Sequence, residues 1–328
     1  MLINNNTNNS TQKSMQSSIG SNRIHYDSYN NRIKGFSSFS VLNESSLKIL
    51  EHIVSSVQSS NPNSTRSTIR AFVSKHMLDS AKNNGLGALE AQVDISNIDS
   101  SMVLAYFGRN SIKRRSAENI ICQEIDSISQ IVSSISPTTR DVALARLTNG
   151  GYRIEQLSNP NQTQINQLLD LYNQTFSAYT FELNEQSVRN MFTNNNIVLV
   201  TISSQNQIVG SMVAEHAFME VDSSEISLYE LSDYATSKSH RGNGAMTAMQ
   251  IEAINLIRSL PNGNDAIIYS ENRAPWTPVS ISSHKTGLMS YCGTLEQHCI
   301  INSDRNISET GNMENLHVFS ATDYLQTQ

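Results

Sequence analysis

The stretch that decides the fold runs from Leu228 to Ile257, LYELSDYATSKSHRGNGAMTAMQIEAINLI. It opens as a strand that ends at Thr236. A short turn follows, Arg241-Gly242-Asn243-Gly244, and a helical pattern begins at Ala245. Met246, Met249, Ala253 and Ile257 recur at the spacing of one helix face. A strand, a glycine turn and a helix in this order make an anion site. The first N–H groups of a helix lack partners within it, and the helix dipole favours negative charge there. Glycines clear side chains away so that backbone N–H groups can approach a phosphate. Arg-Gly-x-Gly alone is a common turn, and its surroundings give it weight.

Working outward, the pattern reads as strands and helices in alternation. Three consecutive strands, Asn196–Ser203, Gln207–Val221 and Ile226–Thr236, lead into the turn. Before them come a strand over Tyr152–Leu157 and helices over Gln164–Phe176 and Asn184–Thr193. After the long helix, Ala245–Arg258, come a strand over Asp265–Ser270, a helix over Thr277–Lys285, and strands over Tyr291–Ile301 and Glu314–Ser320. The first half predicts strands over Arg32–Leu42, Ser67–Val73, Gly87–Ile95 and Met102–Phe107. Its helices are Glu44–Val57, His76–Asn84 and Ala117–Ile135. The pair Gly150-Gly151 after Asn149 punctuates the pattern and places a domain boundary there. The expected division is an Asn/Ser-rich tail over 1–21 with nothing to bury, an α/β domain over 22–148 and a second over 149–328.

Composition narrows the function. The 328 residues hold 36 Asn and 50 Ser but only 16% charged residues, with a net charge of −6. That balance speaks against a basic nucleic-acid-binding face. Lys113-Arg114-Arg115 is a short basic run that reads as a solvated helix start. Cys122, Cys292 and Cys299 are too few and too scattered for a disulfide framework or a four-Cys zinc site, so no metal is expected. No apolar run approaches the roughly 18 residues of a membrane span, and the first ten residues lack the pattern of a signal peptide. Cytoplasmic residence is the expectation, with signal-independent secretion left open.

The order of three strands, turn, helix, strand, helix and two strands resembles the GNAT N-acetyltransferase superfamily. A narrower similarity, to the β-lysine N6-acetyltransferase family, rests on Tyr229–Thr236 (YELSDYAT), His240–Gly244 (HRGNG), Arg273-Ala274, Tyr291–Leu295 (YCGTL) and Glu314–Phe319 (ENLHVF). Weaker matches lie at Asn30–Ile33, Ile69–Val73, Leu86–Ala91 and Met102–Phe107, so the similarity spans roughly 28 to 320. It implies an α/β chain. The C-terminal GNAT fold would have a mixed, mostly antiparallel sheet flanked by helices. The N-terminal α/β domain would be GNAT-like and degenerate in coenzyme binding. It also implies acetyl-coenzyme A as cosubstrate. Tyr234, Ala235 and Thr236 would then border the pantetheine arm, with Arg241, Gly242, Asn243, Gly244 and Ala245 around the pyrophosphate.

The chain departs from the family pattern at two places. Met246 stands where a small residue is usual and is expected to crowd the turn or shift the helix, with Ala245 as a substitute. Ser283 stands where a Tyr would protonate the departing thiolate, and no Asn occurs between Arg273 and Lys285. Water is then the expected proton source.

Attack on a thioester needs a neutral amine, and an alkylammonium has a pKa near 10.4, so a carboxylate base is expected. Glu230 and Asp233 lie on the strand that leads to the turn. Their spacing of three puts them on opposite faces of a regular strand, so only one faces the site unless a bulge intervenes. Glu215 and Glu220 read first as solvated strand positions, with added negative charge for a cationic substrate as the alternative. His317 reads first as a plain strand histidine, with the edge of the substrate cleft as the alternative, and Cys292 and Cys299 read as bystanders. The reading is an acetyl-CoA-dependent N-acetyltransferase for a small amine, first β-lysine or a related diamino acid. A protein acceptor, as for a host-directed effector, and a non-catalytic binding protein of the same fold are the alternatives.

Overall fold

A computed structural model describes residues 23–27, 32–37, 40–82, 86–110, 118–176, 183–221, 224–274, 277–300 and 313–321. The tail over 1–21 and the run Lys113–Arg115 lie outside the described residues, as do the side chains of Cys122, Cys299 and Glu220. The first half contains β1 (Arg23–Asp27), β2 (Arg32–Phe36), α1 (Glu44–Ser60), β3 (Arg66–Ser74), α2 (Leu78–Lys82), β4 (Ala88–Asp94), β5 (Met102–Asn110), α3 (Glu118–Ser134) and α4 (Arg140–Asn149). The second contains β6 (Arg153–Gln156), α5 (Gln162–Thr175), α6 (Glu185–Asn190), β7 (Ile197–Ile202), β8 (Ile208–Val221), β9 (Ser224–Thr236), α7 (Ala245–Ser259), β10 (Ile267–Arg273), α8 (Thr277–Lys285), β11 (Ser290–Ile300) and β12 (Met313–Ser320).

The strands form a single sheet of twelve, in the order β1-β2-β3-β5-β4-β11-β12-β10-β9-β8-β7-β6. It is mixed and mostly antiparallel, with parallel pairs only at β2/β3 and β9/β10 among the described residues. The order contains a repeat that the sequence does not display. β1-β2-β3-β5-β4 and β8-β9-β10-β12-β11 have the same order, the same parallel second pair, and a helix after the second strand and after the third. The two copies meet at β4 and β11 through one register pair, Ala91 with Gly293.

Helices cover the sheet where its side chains are apolar. On one face, α1 buries Leu47, Leu50 and Val54 against Ile33, Ile69 and Phe107. On that same face of the second copy, α7 buries Met249, Ala253, Ile254 and Ile257 against Leu231 and Ile268, and α3 adds Ile128 and Ile131. The opposite face of the second copy is covered at its far end by α5 and α6. Between the copies, that face carries a cluster to which both contribute: Phe72 and Tyr106 from the first, Leu228 and Tyr269 from the second.

Several boundaries differ from the pattern reading. The strand expected over Arg32–Leu42 stops at Phe36, and the chain rejoins the sheet only at Val41 through a bridge to Val73. The helix expected over His76–Asn84 is a 3-10 turn followed by the short α2. Strand β1 and helix α4 had no counterpart in the reading. Helix α4 buries Ala143 and Leu147 on Ala245, Ala248 and Ile251 of α7, with Leu144 partly buried beside them. So thin a stripe gives little periodic signal.

Candidate active site

Strands β9 and β10 run parallel and in register from Leu228/Ile267 to Glu230/Tyr269. Beyond that point β9 stays with β8 as far as Thr236, while β10 follows β12 as far as Arg273. Their facing edges separate, and a wedge opens between them. The Tyr234 hydroxyl reaches across it and donates to Ser270 Oγ at 3.1 Å. Burial pushes the Tyr234 phenol far above its ordinary range, so it keeps its proton. Tyr234 lies beside the α7 core, Ala235 is fully buried, and Thr236 ends the strand half-exposed.

At the end of β9 a 3-10 turn over Lys238–His240 leads into Arg241–Gly244. Gly242 and Gly244 have φ of +84° and +81°, values that L side chains rarely adopt. A Cβ on Gly242 would meet nothing within 4 Å, so the mouth of the turn is open. No side chain caps α7, and no acidic residue stands in its first turn. Its leading N–H groups and positive dipole end therefore face the mouth. Arg241 Nε donates to the Thr236 carbonyl at 3.1 Å, and Asn243 Nδ2 donates to the Tyr152 hydroxyl at 3.0 Å. That hydroxyl also bonds His240 Nδ1 at 2.9 Å, and Arg146 Nη2 donates to the Gly242 carbonyl at 2.9 Å. Arg146 and Tyr152 escaped the sequence reading because they lie far from the turn in sequence. Met246 packs against the core beneath the sheet rather than over the turn, and Ala245 is buried against α4.

The first copy shows the same two places closed. After β2, Ser37 N–H and Val41 N–H bond the carbonyls of Arg70 and Phe72, and Ser74 N–H bonds that of Val41. The chain therefore stays zipped to β3. Helix α1 is capped by Asn43, whose side chain accepts from Ser45 and Ser46 N–H at 3.0 Å, with Ser46 completing the box. Its leading N–H groups are already satisfied.

On the face opposite α7, carboxylates gather below the wedge. Glu230 accepts from Tyr269 Oη at 3.1 Å, and Glu215 stands directly across from it on β8. Glu215 accepts from Ser232 Oγ at 2.6 Å. Burial, then the charges of Glu271 and Glu215, push the Glu230 carboxyl up to about 7. Crowding by the recess walls, which strips part of its hydration, and then the charge of Asp233 raise Glu215. A bulge interrupts β9 between Ser232 and Ala235, where two residues stand opposite the single Met212 of β8. Asp233 occupies it with φ +51°. That extra residue cancels the alternation, and Asp233 comes within electrostatic reach of Glu215 and of Tyr172 from α5. Glu215 is exposed, and Glu230, Ser232 and Asp233 are half-buried, so solvent reaches this recess.

His317 is not at this edge. Its ring is 2% exposed on the α8 face, where Nδ1 bonds Ser280 Oγ at 3.2 Å. Burial lowers it to about 4, so it is neutral. Ser283 is fully buried on the same face and accepts from Asn272 Nδ2 at 2.9 Å. Asn272 in turn accepts from Ser270 Oγ at 2.6 Å, which joins Ser283 to Tyr234 through Ser270. Cys292 is half-buried, and its thiol donates to the Ser290 carbonyl. Among the described residues no group of three or more His, Cys, Asp or Glu is arranged to hold a metal ion. Among them, too, no helix is long and apolar enough to cross a membrane.

No protein-family model matches the chain, and no curated protein matches it. Solved structures do. Arabidopsis thaliana NAA60 in complex with acetyl-CoA is 13% identical over 52% of this chain and 97% of its own, with a TM-score of 0.41. Spermidine N-acetyltransferase SpeG from Vibrio cholerae, in a mutant form, is 12% identical over 54% and 97%, with a TM-score of 0.38. A conserved protein of Enterococcus faecalis V583 described as a probable N-acyltransferase is 12% identical; the match spans 37% of this chain and 29% of that one, with a TM-score of 0.31.

Proposed function

We propose that the chain is an acetyl-CoA-dependent N-acetyltransferase acting on the primary amine of a small molecule, with β-lysine or a related diamino acid as first candidate. One observation carries this reading. The same strand order occurs twice, and only the second copy has both an open wedge and an uncapped, glycine-led helix start. Those are the two features a pantetheine arm and a pyrophosphate need, an unpaired strand edge and a set of unsatisfied N–H donors. The division at Asn149-Gly150-Gly151 into 22–148 and 149–328 belongs to the same reading, as does cytoplasmic residence.

Acetyl-coenzyme A, when bound, supplies a thioester acyl group. The open edge of β9 past Glu230 would hold the arm and point a backbone N–H at the thioester oxygen. Glu230 takes the proton of the incoming ammonium, and a carboxyl near 7 is matched to that work at neutral pH. Glu215 and Asp233 hold the ammonium by charge. The Tyr234 hydroxyl, on the other face of the same wedge, keeps its proton and would be a donor to a departing thiolate held in the wedge. A recess walled by both copies favours a small acceptor over a polypeptide.

Calorimetry with acetyl-CoA, followed by turnover with a panel of small amines, tests the reading. Binding without turnover of any small amine, free or peptide-borne, would leave the non-catalytic alternative. Absence of binding would remove the coenzyme assignment.

A further inference from the structure

The recess has two walls, and the second comes from the first copy. Strand β3 presents Arg66, Thr68, Arg70 and Phe72 to it, and in register beside them on β2 stand Arg32, Lys34 and Phe36. Three of the four cations have their own carboxylate. Arg32 pairs with Asp27, Arg66 with Glu90, and Arg70 with Glu271, the last pair joining one copy to the other. Lys34 alone of the four makes no ion pair among the described residues. Its half-buried ammonium is within electrostatic reach of Glu230 and Glu215 without touching either. The other charges that face it are Arg32, Arg70 and Asp27. Two more groups there have unused polar atoms. Among the described residues the Tyr106 hydroxyl, in a fully buried residue, has no partner, and neither does Arg70 Nε, whose guanidinium lies 4.9 Å from the Phe36 ring centroid. Tyr106 shares its surroundings with Glu230 and Glu271.

A recess with acids on one wall and an unpaired cation on the other fits a ligand with both charges. We infer that Lys34 of the first copy binds a carboxylate of the acceptor while Glu230, Glu215 and Asp233 receive its ammonium. The inference rests on the acetyltransferase reading for the identity of the acceptor, and it gives the first copy a part in choosing it. An amine without a carboxylate would leave the Lys34 charge unanswered, and removing one partner of a charged hydrogen bond typically costs about 10- to 100-fold in affinity.

The test is calorimetry on the full chain with coenzyme A present. Lysine, ornithine and β-lysine are titrated beside cadaverine and putrescine, which have the same amines and no carboxylate. At least one diamino acid is expected to bind the wild type tenfold or more tighter than its matched diamine. Lys34→Met is expected to erase that preference, weakening diamino acids while diamines bind as tightly or tighter and acetyl-CoA affinity stays unchanged, and Lys34→Arg to keep it. The inference is overturned when diamines bind the wild type as tightly as every diamino acid, or when Lys34→Met weakens both classes alike. The wild-type comparison decides even where the Met variant folds poorly. A wild type that fails to bind acetyl-CoA removes the coenzyme reading but leaves the two-charge preference open to the same titration.

Discussion

Glu230 shows how one carboxyl's surroundings set stability and, under the proposed function, rate. Its ordinary value is 4.5, and the folded protein holds it near 7. The folded state therefore binds a proton that the unfolded chain has released between those pH values. Stability is greatest below about 4.5, falls as the pH rises towards 7, and is flat above it as far as this group is concerned. Glu230→Gln removes the loss. The variant should be more stable than wild type at pH 8, by up to about 3 kcal/mol before solvent screening reduces it, and no more stable at pH 4. Thermal unfolding at the two pH values measures this. The same variant should lose about 10²–10⁴-fold in kcat. Its pH–rate profile should lose the limb that rises through about 7. Equal wild-type rates at all pH values would reject Glu230 as base. Asp233 lies in a left-handed backbone conformation, so Asp233→Val should destabilise by about 1–2 kcal/mol, whereas Asp233→Gly should not. The candidate carboxylates were legible in the sequence as residue types on one strand. Their shared face was not, because the extra residue in β9 shows only in how that strand pairs with β8.

At the scale of elements, the contrast between α1 and α7 makes a prediction about helix starts. Gly244→Asp puts a carboxylate where the first N–H groups of α7 would meet phosphate. Acetyl-CoA binding should disappear from a protein that still folds, as read by calorimetry beside circular dichroism. Asn43→Ala removes the cap of α1 and should cost about 0.5–2 kcal/mol of stability. Coenzyme affinity should not change. The reverse pattern, stability lost at Gly244 and affinity lost at Asn43, would exchange the roles of the two copies. The turn itself was readable, since Arg241–Gly244 falls between a strand and an apolar helix. Its neighbours were not. Arg146 and Tyr152 reach it from α4 and from the start of the second half, and only tertiary packing brings them there. Ser283 and Met246 read as departures from a pattern. The first is bonded to Asn272 and the second is turned to the core, so neither obstructs the mouth.

At the scale of the molecule, the repeat of strand order was invisible because it lives in pairing and not in residue identity. Each copy spends its side chains differently: Arg, Thr and Lys on the recess face of β2 and β3, carboxylates on that of β9 and β10. The Arg70–Glu271 pair ties these faces together in nearly dry surroundings, each side chain under a tenth exposed. Removing one partner leaves a buried charge, so Arg70→Met alone should destabilise by about 3–5 kcal/mol. Arg70→Met with Glu271→Leu should recover most of that. Chemical denaturation of Arg70→Met, Glu271→Leu and the double variant checks it, and full additivity of the two single losses would show that the pair does not couple the copies.

The join between the copies has a mechanical consequence. Two stiff plates share one register pair, Ala91 with Gly293, and a Cβ on Gly293 would lie 2.2 Å from the Glu90 carbonyl. This axle has no room for another residue type, and the plates it links carry Lys34 and Glu230 on facing surfaces. Under the proposed function, the angle at the axle and the Arg70–Glu271 tie would set the span between those two charges, and the recess would act as a calliper for the number of methylenes between the ends of a guest. A residue that widened the axle would shift the preferred chain length without touching either jaw.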